Sequence, residues 1–470
     1  MEFKNKLQKG GMLLYLVIVI SLFSILMLPI LDNVILKISM LRTAIDREGA
    51  LQIAEAGINY YQWHLAHFPD DYVNDVGVHD FIDTDTHEKK GEFNLVVTPP
   101  NPGSTVVTIQ STGHTERTPS ATRTITVQYG IPSLAKYSFL SNEAIWIGDT
   151  ETVVGPFMSN GGIRFDGSAN ASIKSAKDVY APPEHEGYYC PDGQGSPCPA
   201  WKDGIWSNPD PPADPDVKNL WQFPVSNVDY SVLTFDLAVM QEEAENDGIF
   251  LLPSNVEGYS LVFNSDGTVT IYKVDTTLYN PPGYDYVLDV PTVHPEYTDY
   301  DTRTLLAGYD HIILPTNGII YVKDNVWVEG TVRGKVTVVA ATLPYTLATA
   351  PSIFIPHNIV YSAKDGSDSL GLIGQQSVLV SYHADNDLEI NAAMIAQNGS
   401  CEFYYWPNNF KNSITVYGST MTYGMWTWGW VGGVGYPITY SQYDPNLLYA
   451  PPPSFPLSTT GYQQLNWKSN

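Results

Sequence analysis

Basic residues are scarce in this chain. Twenty-four Lys and Arg stand against 50 Asp and Glu, a formal net charge of −26 over 470 residues. Residues 1–40 hold four lysines and two acidic residues, so the deficit falls wholly on residues 41–470, at −28. So acidic a surface repels the phosphate backbone and excludes nucleic acid as a partner. Charge of either sign is thin, at 16 per cent, whereas 37 Gly, 34 Pro and 31 Tyr favour strands and turns over helices. Cysteine is rarer still, with three residues. Cys190 and Cys198 lie eight positions apart in a loop rich in Pro and Gly, with no second Cys or His pair nearby. The ligand set that zinc requires is therefore missing, and no cofactor is expected. Cys401, left over, reads as a small buried hydrophobe.

What the chain does have is a long apolar run at its start. A basic leader with Lys4, Lys6 and Lys9 meets Gly10-Gly11-Met12, and residues 12–31 carry no charge. Twenty residues at ~1.5 Å each cover the ~30 Å hydrocarbon layer of a membrane. A secretory signal has a shorter core and a small-residue cleavage site, which Asp32-Asn33-Val34 does not offer. The chain is therefore expected to keep a membrane helix, with its N-terminus cytoplasmic and its acidic body exported. In an exported body a disulfide between Cys190 and Cys198 is the simplest reading of that pair.

Residues 32–67 contain no proline, and Ala44, Leu51, Ala54, Ile58, Tyr61 and Leu65 recur at helical spacing. One helix over 12–68 is expected, ending at Phe68-Pro69 and loosened or kinked at Pro29. Basic leader, glycine, then such a helix resembles a type IV prepilin. The resemblance implies a prepilin peptidase that cuts between Gly11 and Met12, or else after Gly10, leaving 1–11 as a leader. It also implies other pilin subunits as partners of the helix. Major pilins carry a Glu five residues into the mature chain, where this sequence has Leu16, or Tyr15 with the alternative cut. That departure favours a minor, specialised subunit. The stretch Leu51-Gln52-Ile53-Ala54-Glu55-Ala56-Gly57 resembles the helix signature of PilX-type minor pilins, and its small residues admit a close neighbour.

A chain of this length suggests two or three domains. After an acidic linker at 70–90, runs at 92–98, 104–111 and 121–129 read as a small antiparallel meander, placed at 69–130. From 131 to 470 short apolar runs alternate with Gly, Asn and Asp at spacings that fit a β-solenoid or a sandwich. Gly330 and Gly334, four residues apart, suit successive corners better than a hairpin and favour the solenoid. An inserted α/β segment near 225–275 holds a helix over 237–244 and a hairpin turning at Ser265-Asp266-Gly267. Ser159-Asn160-Gly161, Val328-Glu329-Gly330-Thr331-Val332, Leu370-Gly371-Leu372-Ile373 and Tyr443-Asp444-Pro445 resemble large PilX-like surface proteins with a β-helical C-terminal region. The fold class expected is α+β, predominantly β: a membrane-spanning helix, a meander, then a right-handed β-helix.

Two constellations could carry chemistry. Asp299, Asp301 and Asp310 cluster, as do Asp385, Asp387 and Glu389 with His383 beside them. Polysaccharide-cleaving β-helix enzymes use such groups as acid, base or calcium ligands, but solvated turn residues are the simpler reading here. Trp426, Trp428 and Trp430 alternate, so in a strand their indoles share one face. Such a row stacks on sugar rings or a hydrophobic surface, or else closes the open end of a solenoid. The sequence thus reads as a minor type IV pilin or pseudopilin without enzyme activity, on the membrane and then on a pilus or cell surface. There it would display a large domain for adhesion to a glycan or other surface ligand, or for filament assembly. The runner-up is a membrane-anchored β-helix enzyme acting on polysaccharide.

Overall fold

The computed structural model describes residues 8–101, 103–182, 201–212, 214–230, 232–281, 283–285, 290–292, 298–430, 432–458 and 461–469. They fall into two units: Met1–Pro99 with Val107–Gly130 and Tyr462–Asn470, and Pro100–Val106 with Ile131–Gly461. The protein is mostly β, with one long apolar helix at its N-terminal end.

In the first unit, helix α1 runs Gln8–His67, 60 residues with Pro29 inside. It ends one residue before Phe68-Pro69, where proline cannot continue it. Asn33 Nδ2 donates to the Pro29 carbonyl at 2.8 Å, fastening the turn that follows the proline. A five-stranded sheet faces the second half of α1, in the order Gly77–Ile82, Lys89–Thr98, Val106–Thr115, Thr118–Gly130, Gln463–Ser469. Three strands cover the runs read from sequence. Two do not: Gly77–Ile82 lies inside the segment read as an acidic linker, and Gln463–Ser469 returns from the far end of the chain to pair antiparallel with Thr118–Gly130. The small sheet therefore does not close at residue 130.

Ile53, Ala54, Ile58, Tyr61 and Leu65 of α1 bury against Phe93, Leu95, Val107, Ile109, Ile125 and Val127. Their spacing of three and four puts them on one helical face. The approach is close enough to require glycine. A Cβ on Gly57 would stand 2.3 Å from Ser111 Oγ and 2.8 Å from the Phe93 ring, and one on Gly113 would stand 2.4 Å from the Ala50 carbonyl. Ala54 and Gly57 thus serve the sheet, as their small size suggested, while Ala56 is only half-buried.

The second unit is built from parallel strands. In spatial order, one sheet contains Ile249–Leu251, Ile319–Val322, Lys335–Ala340, Ser369–Gly374, the ends of Asp387–Ala396 and Ser413–Thr422, then Phe139–Ser141, Phe157–Ser159, Ile173–Ser175 and Trp221–Gln222. A second set of parallel ladders links Val326–Val332 through Ile359–Tyr361, Asp387–Ala396, Ser413–Thr422 and Ile438–Tyr443 to Thr152–Val154. A third links Gly258–Phe263, Val326–Val332, Ile353–Ile355, Val378–Val380, Cys401–Glu402 and Trp426–Thr427. Gly330 and Gly334, at φ +110° and +99°, stand between successive sheets, where the backbone turns in a way that glycine adopts without strain.

Side chains in these strands alternate between two cores. Ile320, Val338, Leu372 and Met394 enter the main one, while Ile319, Tyr321, Val339, Ile373 and Ile395 enter a second. That second core is closed by Leu237, Met240 and Ala244 of α2 (Val232–Asp247) with Leu447 and Phe455. Burial on both faces explains why these strands read as continuous apolar runs instead of alternating ones. The turn at Ser265-Asp266-Gly267 does join antiparallel strands, Gly258–Phe263 and Thr268–Leu278, with Gly267 at φ +89°. It is no interruption, however, because Gly258–Phe263 also pairs in parallel with Val326–Val332.

The order of the first sheet is not the order of the chain. Phe139 at the start pairs beside Thr420 near the end, so the chain enters this sheet in its middle. It runs outward to Trp221–Gln222 and then crosses back, through α2, to Ile249–Leu251 at the opposite edge.

Candidate functional site

The feature that sets this chain apart is the first half of α1. From Met12 to Ile45 its large apolar side chains are exposed, Met12 at 80 per cent and Ile45 at 64 per cent, and the most apolar stretch has nothing packed on it. At Asp46 this changes. The Asp46 carboxylate is buried and accepts from Arg117 Nη2 at 2.5 Å, Arg117 Nε at 3.0 Å and Thr118 Oγ1 at 2.6 Å. It is the first side chain that ties the helix to the sheet. Gly10, Gly11 and Met12 lie within the helical run. Among the described residues, one helix is thus long and apolar enough to cross a membrane by length and composition.

At the other end of α1, His64 is buried with Nδ1 3.0 Å from Asp75 and Nε2 3.4 Å from Asp71. Asp71 accepts the backbone N–H groups of Asn74 and Val73 and the Asn74 amide, which hold its carboxyl down at about 2.

The carboxylates singled out in the second unit each meet partners of their own, and Asp299 of the first cluster meets His383 of the second. Asp299 is buried and occupied by Asn280 Nδ2 and Thr298 Oγ1, both at 3.0 Å, and the His383 backbone N–H at 3.1 Å. Asp301 accepts from Thr276, and Asp310 faces His311 at the surface. Asp385 meets His357 Nδ1 at 3.0 Å, Asp387 is held below its usual range by Ser413 and Asn412, and Glu389 pairs with Lys364 at 2.9 Å. His383 Nδ1 lies 3.5 Å from Asp299, half exposed.

Sequence reasoning missed Glu329. It is buried against Arg303 Nη1 at 2.5 Å and Tyr300 Oη at 3.2 Å, with His357 Nε2 at 3.8 Å, so His357 bridges Glu329 and Asp385. Arg303 is itself stacked between Tyr272 and Tyr300, 4.6 and 4.5 Å from their ring centres. Only the register of strands far apart in sequence brings these groups together. Among the described residues no group of three or more His, Cys, Asp or Glu is placed to hold a metal ion.

The tryptophan row needs correction. Trp426 and Trp428 are buried in the main core, and Trp430 is half-buried with its indole N–H on the Phe403 carbonyl at 2.9 Å. Their alternation does put Trp426 and Trp428 on one face, but that face points inward, so the row is no surface for sugar stacking. Trp426–Thr427 is the last strand of the third set of ladders. Trp426 packs on Phe139, and from Phe139–Ser141 the first sheet continues outward. Cys401, stacked between Val378 and Trp426, is fully buried with its thiol pushed up by burial. Cys190 and Cys198 lie outside the described residues.

No protein-family model and no curated protein matches the sequence. Among solved structures, the chain is similar to the competence-associated pilin ComZ from Thermus thermophilus, at 12 per cent identity over 90 per cent of this chain and 97 per cent of that one. The TM-score is 0.30, too low to establish a shared fold.

Proposed function

We propose that this chain is a PilX-like minor type IV pilin or pseudopilin. The observation that carries the reading is α1: one continuous helix whose first half is bare and apolar, and whose second half is packed on an antiparallel sheet. Bare apolar surface on that scale requires a cover, and a membrane and then the helices of neighbouring subunits supply it in turn. The N-terminus is cytoplasmic, a prepilin peptidase cuts between Gly11 and Met12, and the acidic body is exported and displayed for adhesion or filament assembly. In the exported body Cys190 and Cys198 form a disulfide, which alkylation of the unreduced protein tests. The large unit is a right-handed β-helix; three sets of parallel ladders and the strong preference for right-handed crossovers support that. It is a display domain and not an enzyme: the carboxylates are each engaged by their own partners, and the net charge disfavours nucleic acid as a ligand.

The deciding experiment is the mature N-terminus, determined by mass spectrometry in a membrane fraction and in a sheared surface fraction. Met12 as first residue in both supports the reading. An intact Met1, or cleavage beyond Leu31, overturns it. Turnover of a polysaccharide that is lost in Glu329→Gln or Asp385→Asn would replace display with catalysis.

A further inference from the structure

Arginine is distributed very unevenly in this protein. The chain has seven, and Arg42, Arg47, Arg117 and Arg123 lie at one place, where α1 leaves the small sheet. Two open grooves flank the helix there. One, of about 500 Å³, is lined by Ile35, Ile38, Arg42, Thr43, Arg117 and Thr118. The other, of about 560 Å³, is lined by Ser39, Met40, Thr43, Arg47, Glu48 and Arg123. Each groove therefore combines two guanidinium groups, hydroxyls and apolar side chains in one concave surface.

The cations are available. Arg42, Arg47 and Arg123 have no ion pair among the described residues, and Arg42 and Arg47 are exposed. Arg117 spends Nε and Nη2 on Asp46 but is 59 per cent exposed, so its remaining N–H groups are free to donate outward. Asp46 is neutralised by that pair, which leaves Glu48 as the acidic side chain lining the larger groove.

Position and chemistry select the occupant. Ile35 and Ile38 follow Leu31, the last residue of the uncharged run, by four and seven positions, or about 6 and 10 Å along the helix. Helical side chains lean toward the N-terminus, so Arg42 reaches back to that level. The polar layer of a bilayer adds roughly 5–8 Å on each side of the hydrocarbon. We infer that the groove of Arg42 and Arg117 binds an anionic phospholipid headgroup of the outer leaflet, phosphate on the two arginines and the glycerol end of the acyl chains at Ile35; the other groove, whose Met40 and Arg47 stand about 14 and 24 Å past Leu31, lies beyond that layer. A body carrying −28 beyond residue 40 is repelled by an anionic membrane, and the arginine collar supplies a local attraction that fixes where the small unit stands before assembly.

The inference rests on the membrane-anchor part of the function proposed above. The test uses the full chain in detergent, titrated with phosphatidylglycerol, phosphatidylcholine or inorganic phosphate, with bound lipid counted by native mass spectrometry. Phosphatidylglycerol should bind more tightly than phosphatidylcholine, with millimolar phosphate failing to displace it. Arg42→Gln should weaken it about fivefold, whereas Arg47→Gln/Arg123→Gln, in the farther groove, should leave it unchanged. Arg42→Lys should restore most of the binding, and circular dichroism should confirm that each variant is folded. Equal binding of the two lipids, equal binding by Arg42→Gln and the unaltered chain, or displacement by phosphate alone would overturn the assignment. Unchanged lipid binding by an Arg42→Gln variant that vanishes from the sheared surface fraction would assign the groove to a carboxylate of a neighbouring subunit instead. A chain that never partitions into membranes would sink the function proposed above as well; one that partitions without lipid preference sinks this inference alone.

Discussion

The ring of Phe139 lies 4.8 Å from that of Trp426, tilted by 60°. The two residues are 287 positions apart in sequence, and their contact joins the first strand of the large unit to one near its end. Because both rings are inside the main core, Trp426 is a packing residue. Trp426→Ala should lower the stability of the large unit by about 3–5 kcal/mol, the usual cost of emptying a buried indole site. Trp430→Ala, which removes a half-buried ring and one hydrogen bond, should cost only about 1 kcal/mol. Denaturant unfolding of the two variants checks the ranking, and equal effects would contradict the burial described.

Gly57→Ala puts two effects in opposition. Helix propensity favours alanine by about 1 kcal/mol, but the new methyl group would stand 2.3 Å from Ser111 Oγ and 2.8 Å from Phe93. Overpacking typically costs about 1–3 kcal/mol, and contacts this short belong at the upper end, about 2–3 kcal/mol, so a net loss of about 1–2 kcal/mol is expected. Thermal unfolding followed through the small unit would read it, and an unchanged or raised midpoint would refute the close approach.

Asp71 should make the end of α1 acid-sensitive. Its folded value of about 2 is below the ordinary carboxylate value near 3.9, so its contribution is complete above that value and is lost as pH falls toward 2. Hydrogen exchange at residues 68–76 should therefore rise between pH 4 and pH 2 beyond its intrinsic rate, and Asp71→Asn should remove most of that pH dependence.

Glu151 has the opposite sign. Burial pushes its carboxyl up to about 8, and the charges of Asp149 and Asp166 add to this, while the Gly148 N–H bond offsets only part. The folded state then holds a proton that the unfolded chain has lost, so the stability contribution falls as pH rises from about 4.3 to about 8. Glu151→Gln should flatten that decline and leave the protein more stable than wild type at pH 8. A variant that loses stability equally at pH 5 and pH 8 would show that the carboxylate is engaged in some other way.

Local pattern was enough for α1, because proline placement and spacings of three and four mark a helix and its end at His67 without reference to anything distant. Three strands of the small sheet and the turn at Gly267 were legible for the same reason. Gln463–Ser469 was not, since its exposed, mixed side chains give no alternation and its partner lies over 300 residues earlier. The entry of Phe139 beside Thr420 leaves no local trace either, because parallel neighbours can come from any part of the chain. The tryptophans show a further limit. Period two correctly placed Trp426 and Trp428 on one face, but in strands buried on both sides nothing in the period tells inside from outside. Glu329 sits in an apolar run with no local sign of its role, and its partners Arg303, Tyr300 and His357 are near it only through register.

The return of Gln463–Ser469 to the small sheet bears on how the large unit could be shed. That unit leaves the sheet after Gly130 and comes back before Gln463, so it is attached at both of its ends. A protease that nicked the chain near Gly461 would leave it covalently held through Ile131. One that nicked near Ile131 would leave it docked by the ladder between Gln463–Ser469 and Thr118–Gly130. Even two cuts leave residues 131–461 held without a covalent bond by the segment Pro100–Val106, where the Thr105 N–H donates to the Tyr449 carbonyl and Lys335 Nζ to the Gly103 carbonyl. A single nick would therefore go unseen by native electrophoresis and be revealed only under denaturing conditions.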